Sequence, residues 1–256
     1  MSDELFAVER RGSAALVTID RPEKLNAMNA TFFSELPEIL RDLARNDDVS
    51  AAVITGSGRA FSAGGDMEAF REVHDDVVES RRYLRLCFDC FAAVESVEIP
   101  VIAAVNGLAY GGGAELVLTC DFVIASSDAR FAFREATVGL MPAFAVVRAP
   151  SVIGPAATRW LTYTAEVIDA EEAHRIGLVQ RVVPASRLLD EACVTAERIA
   201  ANGPIAVRVA KQFINRSVRE GLNEAIEATA MLYATEDHKE GVAAFAEKRT
   251  ARFRGR

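Results

Sequence analysis

Tyr110-Gly-Gly-Gly-Ala-Glu115 sets three adjacent glycines and one carboxylate at the head of an apolar stretch with helical spacing. Three glycines in a row give up backbone order, at about 0.5–1 kcal/mol each relative to alanine inside a helix or strand. What they gain is access, because without a Cβ a backbone N–H can approach another atom closely. A helix N-terminus adds unpaired donors and a partial positive charge. Such a place suits an oxyanion, and Glu115 beside it is a candidate proton carrier.

A second glycine loop, Gly56-Ser-Gly-Arg-Ala-Phe-Ser-Ala-Gly-Gly-Asp66, follows the apolar run Ala51–Thr55. Neither loop fits GxGxxG or GxxxxGK[ST], which argues against a dinucleotide or P-loop phosphate cradle. Two loops that each offer an N–H can instead converge on one carbonyl oxygen, although either alone also reads as a tight turn. Glu135 follows in Phe131-Ala-Phe-Arg-Glu-Ala136. Two carboxylates brought together by a fold can divide acid and base roles; spacing by itself equally permits two surface glutamates.

The elements around these residues alternate. Strands are expected at Leu5–Arg10, Ala14–Ile19, Ala51–Thr55, Val101–Val105, Phe122–Ala125 and Arg130–Phe133, with a turn at Gly12-Ser13. Helical spacing marks Thr31–Arg45 and about Asp75–Val97, the latter ending before Pro100 because a residue preceding proline is pushed out of the α region. Strand, glycine loop and helix recur in that order, as in an α/β domain with ligands at its strand ends. From Pro155 onward the pattern is largely helical, with Ala170–Ile176, Ala185–Ala201, Pro204–Ser217, Gly221–Tyr233 and His238–Lys248, and one short strand near Val179–Val183. Apolar faces left over in these last helices point to packing against partner subunits or back onto the core.

Composition narrows the function class. The 256 residues are 50% apolar and 26% charged, enough for a substantial core in one large domain or in a core with an appended helical piece. With 29 basic against 37 acidic side chains the net charge is −8, which argues against nucleic acid as a main partner. The acidic start Met1-Ser-Asp-Glu-Leu5 has no secretion-signal layout, and no apolar run is long enough to span a bilayer, so a cytoplasmic location without membrane attachment is expected. Cys87-Phe-Asp-Cys90 lies in a helical stretch without a second CxxC, and His74, His174 and His238 form no HxxxH pair. No metal site is expected.

Several segments together resemble the crotonase, or enoyl-CoA hydratase/isomerase, superfamily. They are Pro22-Glu-Lys-Leu-Asn-Ala-Met-Asn29, Ala60-Phe-Ser-Ala-Gly-Gly-Asp66, the run from Ile99 to Leu116, Cys120-Asp121, Ile176-Gly-Leu-Val179 and Phe245-Ala-Glu-Lys-Arg249. The resemblance runs in order from about residue 5 to 254 and is more specific for the superfamily than for the reaction. It implies an α/β fold of repeated ββα units, with the active site in residues 1–195. Residues 196–256 would form a helical trimerisation region that also covers part of the site. A homotrimer or a dimer of trimers is implied, with acyl-CoA thioesters as ligands and no cofactor beyond the coenzyme A of the substrate.

Residue by residue, the resemblance makes the N–H groups of Gly65 and Gly112 an oxyanion hole for the thioester oxygen. Glu115 would hold and deprotonate the water that attacks C3, and Glu135 would deliver a proton to C2. Lys24, Ala27, Ala63 and Asp66 would line the coenzyme A region, with Lys248 as a phosphate contact, and Met67 and Phe144 would belong to the acyl pocket. Hydration of a trans-2-enoyl-CoA to a 3-hydroxyacyl-CoA is the leading implication, because both glutamates are present. Double-bond isomerisation, decarboxylation and thioester hydrolysis pass through the same enolate and stay open, as does a non-catalytic or RNA-binding relative. One departure stands out: after Gly139-Leu-Met-Pro142 the superfamily's hydratases usually continue PGxGGTxRL, whereas this chain reads Pro142-Ala-Phe-Ala-Val-Val-Arg-Ala-Pro150.

Overall fold

A computed structural model describes residues 5–66, 68, 69, 77–215 and 235–256. Its centre is a six-stranded sheet in the order β1 (Phe6–Arg11), β2 (Ala14–Ile19), β3 (Ala51–Gly56), β5 (Val101–Val105), β7 (Phe122–Ser126), β10 (Arg181–Val183). The first two strands form an antiparallel hairpin and every later pairing is parallel. Strands of a parallel sheet covered on both faces read as nearly unbroken apolar runs, and Val101-Ile-Ala-Ala-Val105 is buried throughout. Alternate residues serve opposite sides. Leu16, Val53, Ile102, Ala104 and Ile124 pack under helix α7 (Leu188–Ala200), while Val17, Ile54, Val101, Ala103 and Val123 face the main core.

A smaller four-stranded sheet runs β4 (Ala60–Ser62), β6 (Leu108–Tyr110), β8 (Arg130–Ala132), β9 (Ile168–Asp169). The two sheets are built by the same ββα unit. β3, β5 and β7 each enter the large sheet, and the strand that follows each of them enters the small one. Helices α2 (Val77–Ser96) and α3 (Gly112–Thr119) complete the first two units. This repetition decides the site, because β4 pairs in parallel with β6 and the two glycine loops leaving them emerge side by side.

Helix α1 (Ala30–Ala44) is capped by the Asn29 side chain, which accepts from the Phe32 N–H, and buries Phe32, Phe33, Leu36 and Leu40. Beyond β8 come α4 (Ala145–Val152), α5 (Gly154–Thr164), α6 (Ala170–Arg175), α8 (Pro204–Ile214) and α9 (Glu236–Glu247). The boundary expected between residues 195 and 196 falls within α7, whose buried Leu188, Ala192 and Ala196 lie on both sides of it. The helix expected at Gly221–Tyr233 lies outside the described residues. Among the described residues no helix is long and apolar enough to cross a membrane, and no cluster of three His, Cys, Asp or Glu is placed to hold a metal ion. Cys87 and Cys90 are buried in α2, and burial raises both thiols, Cys87 to about 12.

Candidate active site

The loop after β4 is held edge-on to the segment after Leu25. Met28 donates to the Gly64 carbonyl and Asp66 donates to the Met28 carbonyl, both at 2.8 Å. Successive peptide groups in extended chain point to opposite sides. The Gly65 N–H, flanked by two groups turned toward Met28, therefore points away from it, toward the second loop. Gly64 adopts φ +97°, and a Cβ there would stand 2.7 Å from the Tyr110 carbonyl and 3.1 Å from the Gly112 nitrogen. The two loops approach too closely for any side chain at that point.

The second loop turns at Gly111, with φ +51°, and α3 starts at Gly112. The Gly112 N–H belongs to the first turn and has no carbonyl one turn back to donate to. Among the described residues neither the Gly65 nor the Gly112 N–H donates to a protein acceptor. Two unspent donors on adjacent loops, with the α3 dipole behind one of them, are chemically able to hold a negatively charged oxygen.

Both carboxyls converge here. Glu115 is buried on the first turn of α3, its own N–H bonded to the Gly111 carbonyl. Its Oε1 accepts from the Phe144 and Ala145 N–H groups, each at 2.9 Å. Glu135 opens the 3-10 turn Glu135–Val138 after β8, and a Cβ on Gly111 would lie 2.9 Å from its Oε1. Its Oε2 is buried, and among the described residues it has no hydrogen-bond partner.

The environments of the two acids differ. Burial raises both. For Glu115 the Ala145 and Phe144 N–H groups oppose that rise by bonding to the ionised form. For Glu135, burial and then the neighbouring Glu115 charge push the carboxyl up to about 7, against which only its own backbone N–H acts. The two acids thus differ in what opposes burial, two N–H donors for Glu115 and only its own N–H for Glu135, and Glu135 is the one pushed further toward its protonated form.

That assignment has a stability consequence. The folded chain keeps the Glu135 proton through the window between about 4.5 and 7 in which the unfolded chain releases it. Stability therefore falls as pH rises through this window. Glu135→Gln is expected to unfold at higher temperature than the parent at pH 8, by up to about 3 kcal/mol, with the gain shrinking toward pH 5. Paired thermal melts at the two pH values read this directly; an equal gain at both would place the proton elsewhere.

The expected coenzyme A residues sit around the first loop. Lys24 ends an exposed 3-10 turn and pairs with Glu68 at 2.8 Å. The Ala63 N–H bonds to the Leu25 carbonyl. Ala27 and Asp66 are joined by Arg21, whose Nη1 donates to the Ala27 carbonyl at 3.1 Å and to Asp66 Oδ2 at 2.6 Å. Burial pushes the Asp66 carboxyl up, but Arg21 and the Glu68 N–H outweigh it and hold the group below its ordinary value. Arg21 is not among the residues expected from the sequence; a guanidinium directly ahead of Pro22-Glu-Lys-Leu-Asn26, with an acid closing the glycine loop, is the signal that marks it.

The remaining site residues divide. Phe144 is half-buried, its ring 5.7 Å from Phe88 and 5.1 Å from Phe91, so the residue whose amide holds Glu115 also packs against α2. Lys248 is exposed just past α9, and among the described residues no hydrogen bond or ion pair links it to either loop. Met67 lies outside the described residues.

A family profile described as Enoyl-CoA hydratase/isomerase matches residues 9–256. The chain is 39% identical over 248 residues to the short-chain-enoyl-CoA hydratase of Clostridium acetobutylicum, covering 94% of each. It is 41% identical over 261 residues to the crotonyl-CoA hydratase of Syntrophomonas wolfei, covering 99% of each. Among solved structures, an enoyl-CoA hydratase from Bacillus anthracis matches with a TM-score of 0.93 at 34% identity, covering 99% of this chain and 100% of that one.

Proposed function

Because this chain belongs to the enoyl-CoA hydratase/isomerase family, we propose that its two carboxyls and two unspent amides carry out the hydration of a trans-2-enoyl-CoA to a 3-hydroxyacyl-CoA. The thioester oxygen sits between the Gly65 and Gly112 N–H groups. Glu115, with Oε1 committed to two amides, uses Oε2 to take a proton from water as the water oxygen bonds to C3. The π pair moves toward C2 and the thioester oxygen, and the two N–H donors stabilise the enolate charge. Glu135 then gives its proton to C2. Transfer of the proton from Glu115 to Glu135 restores the starting state.

The observation that carries this reading is the unequal pair: one carboxyl gripped by two N–H donors, the other with a buried oxygen that has no partner among the described residues. Lys24, Ala27, Ala63 and Asp66 receive the coenzyme A portion, with Lys248 as a further phosphate contact. Met67 and Phe144 belong to the acyl pocket. No cofactor beyond the coenzyme A of the substrate takes part. Four unpaired thiols support a reducing, cytoplasmic setting.

Assembly into a trimer, or two stacked trimers, is part of the proposal. Val138, Leu140, Met141, Val147, Trp160 and Tyr163 are exposed on connected elements beside Glu135, an apolar surface that a second copy would cover. Light scattering at micromolar concentration reads the mass, and a monomer would remove this part of the proposal.

The reaction is tested with crotonyl-CoA in oxygen-18 water. Loss of the enoyl-thioester absorbance with label at C3 of the product is expected. Conversion of a 3-enoyl-CoA to the 2-enoyl isomer, with no water taken up from either substrate, would replace the hydratase reading by the isomerase one.

A further inference from the structure

The donors that grip Glu115 belong to the segment in which this chain departs from the glycine-rich pattern, and a second contact holds that segment from behind. Arg148 lies on the first turn of α4, its N–H bonded to the Phe144 carbonyl at 3.0 Å. Its Nε faces Glu95 Oε1 on the last turn of α2 at 2.6 Å, charge to charge rather than in hydrogen-bond alignment, with both atoms shut off from water. The same helix α2 presents Phe88 and Phe91 to the Phe144 ring. Helix α2 therefore grips the start of α4 twice, through a ring cluster and through an ion pair.

We propose that the Glu95–Arg148 pair is a positioning device that holds the Phe144 and Ala145 N–H groups on Glu115 Oε1, and so keeps the base aimed. Neither residue is among those assigned to the oxyanion loops, the glutamate pair or the coenzyme A region. The connection is short: Glu95 to the Arg148 side chain, the Arg148 N–H to the Phe144 carbonyl, and the Phe144 N–H to Glu115. Geometry at a base matters steeply, since a misplacement of about 1 Å can cost roughly a hundredfold in rate.

Other charged groups surround the device. Glu115 also meets the charge of Glu135 and the thiol of Cys87 on α2. Glu95 meets Asp121 and the buried Lys211, which is itself paired with Asp121 at 2.8 Å. Burial pushes the Glu95 carboxyl above its ordinary value, against the pull of Arg148 and Lys211. Both side chains are half-buried, but their facing atoms are shut off from water, so loss of one member leaves the other's facing atom without its counter-charge.

The proposal rests on the hydratase reading for its kinetic test, so a second readout is needed that does not. Arg148→Met, Glu95→Gln, the double variant and Arg148→Lys are compared with the parent on crotonyl-CoA. Each of the first two is expected to lower kcat about ten- to a hundredfold with KM within about twofold, because the coenzyme A residues are elsewhere. The double variant should fall no further than the worse single, and Arg148→Lys should recover part of the loss. The acid limb of kcat/KM should move to higher pH in Arg148→Met, because Glu115 loses donors that favour its ionised form.

Independently of turnover, carbon-13 NMR of the Glu115 carboxyl in ligand-free protein should show its titration moving upward in Arg148→Met. Additive losses, a loss confined to KM, or an unmoved Glu115 titration would each overturn the positioning role. A parent protein that hydrates nothing while its Glu115 titration still shifts would instead retain the device and remove the hydratase reading.

Discussion

Glu115→Gln is expected to lower kcat for crotonyl-CoA hydration by about 10²–10⁴-fold, the range for loss of a positioned acid or base. KM should be nearly unchanged. Glutamine keeps an oxygen in place of Oε1 and can still accept from Phe144 and Ala145, so the clamp and the fold around it persist. What disappears is the ability to take a proton from water. The same substitution removes the charge that helps push Glu135 up to about 7, so the Glu135 titration should move down toward the ordinary carboxylate range. Turnover and the carboxyl titration are thus two readings of one change. Parent-like turnover in this variant would end the base assignment.

Gly64→Ala is expected to cost about 10²–10³-fold in kcat, the loss typical of one oxyanion donor, or about 2.7–4 kcal/mol. The reason is mechanical. Alanine at φ +97° is strained, and its methyl would press on the Tyr110 carbonyl at 2.7 Å and on the Gly112 nitrogen at 3.1 Å. Neither partner is a flexible side-chain end, so the loops must separate and the two N–H groups lose their common target. Binding of a non-reacting acyl-CoA, read by calorimetry, should weaken far less than turnover, because a ground-state carbonyl carries little of the charge the donors await. A folded variant with parent-like kcat would mean that the thioester oxygen sits elsewhere.

Much of the architecture was legible along the chain. The long strands declared themselves because strands buried on both faces must be apolar over their length, and Val101–Val105 was located to the residue. The three strands β4, β6 and β9 span two or three residues each, too few to show any period. Helix α4 was also hidden, since Pro150 lies inside it and its exposed Val147 breaks the apolar face. These unannounced elements make the site. β4 and β6 set the loops side by side, and α4 supplies the donors for Glu115.

Residue types and their order along the chain were enough to nominate two glycine loops suited to an oxyanion and two glutamates suited to proton transfer, because such groups carry their reactivity wherever they are placed; the enolate chemistry was implied only by the resemblance of the motifs to the crotonase superfamily. The resemblance already implied separate roles for the two glutamates, but the unequal surroundings that separate them came only with the tertiary structure. Main-chain N–H groups are the same at every position, so no pattern of side chains announces that Phe144 and Ala145 will reach Glu115 across 29 and 30 residues of chain. Burial and the distance between charges set which acid keeps its proton, and both exist only once the chain has closed around them.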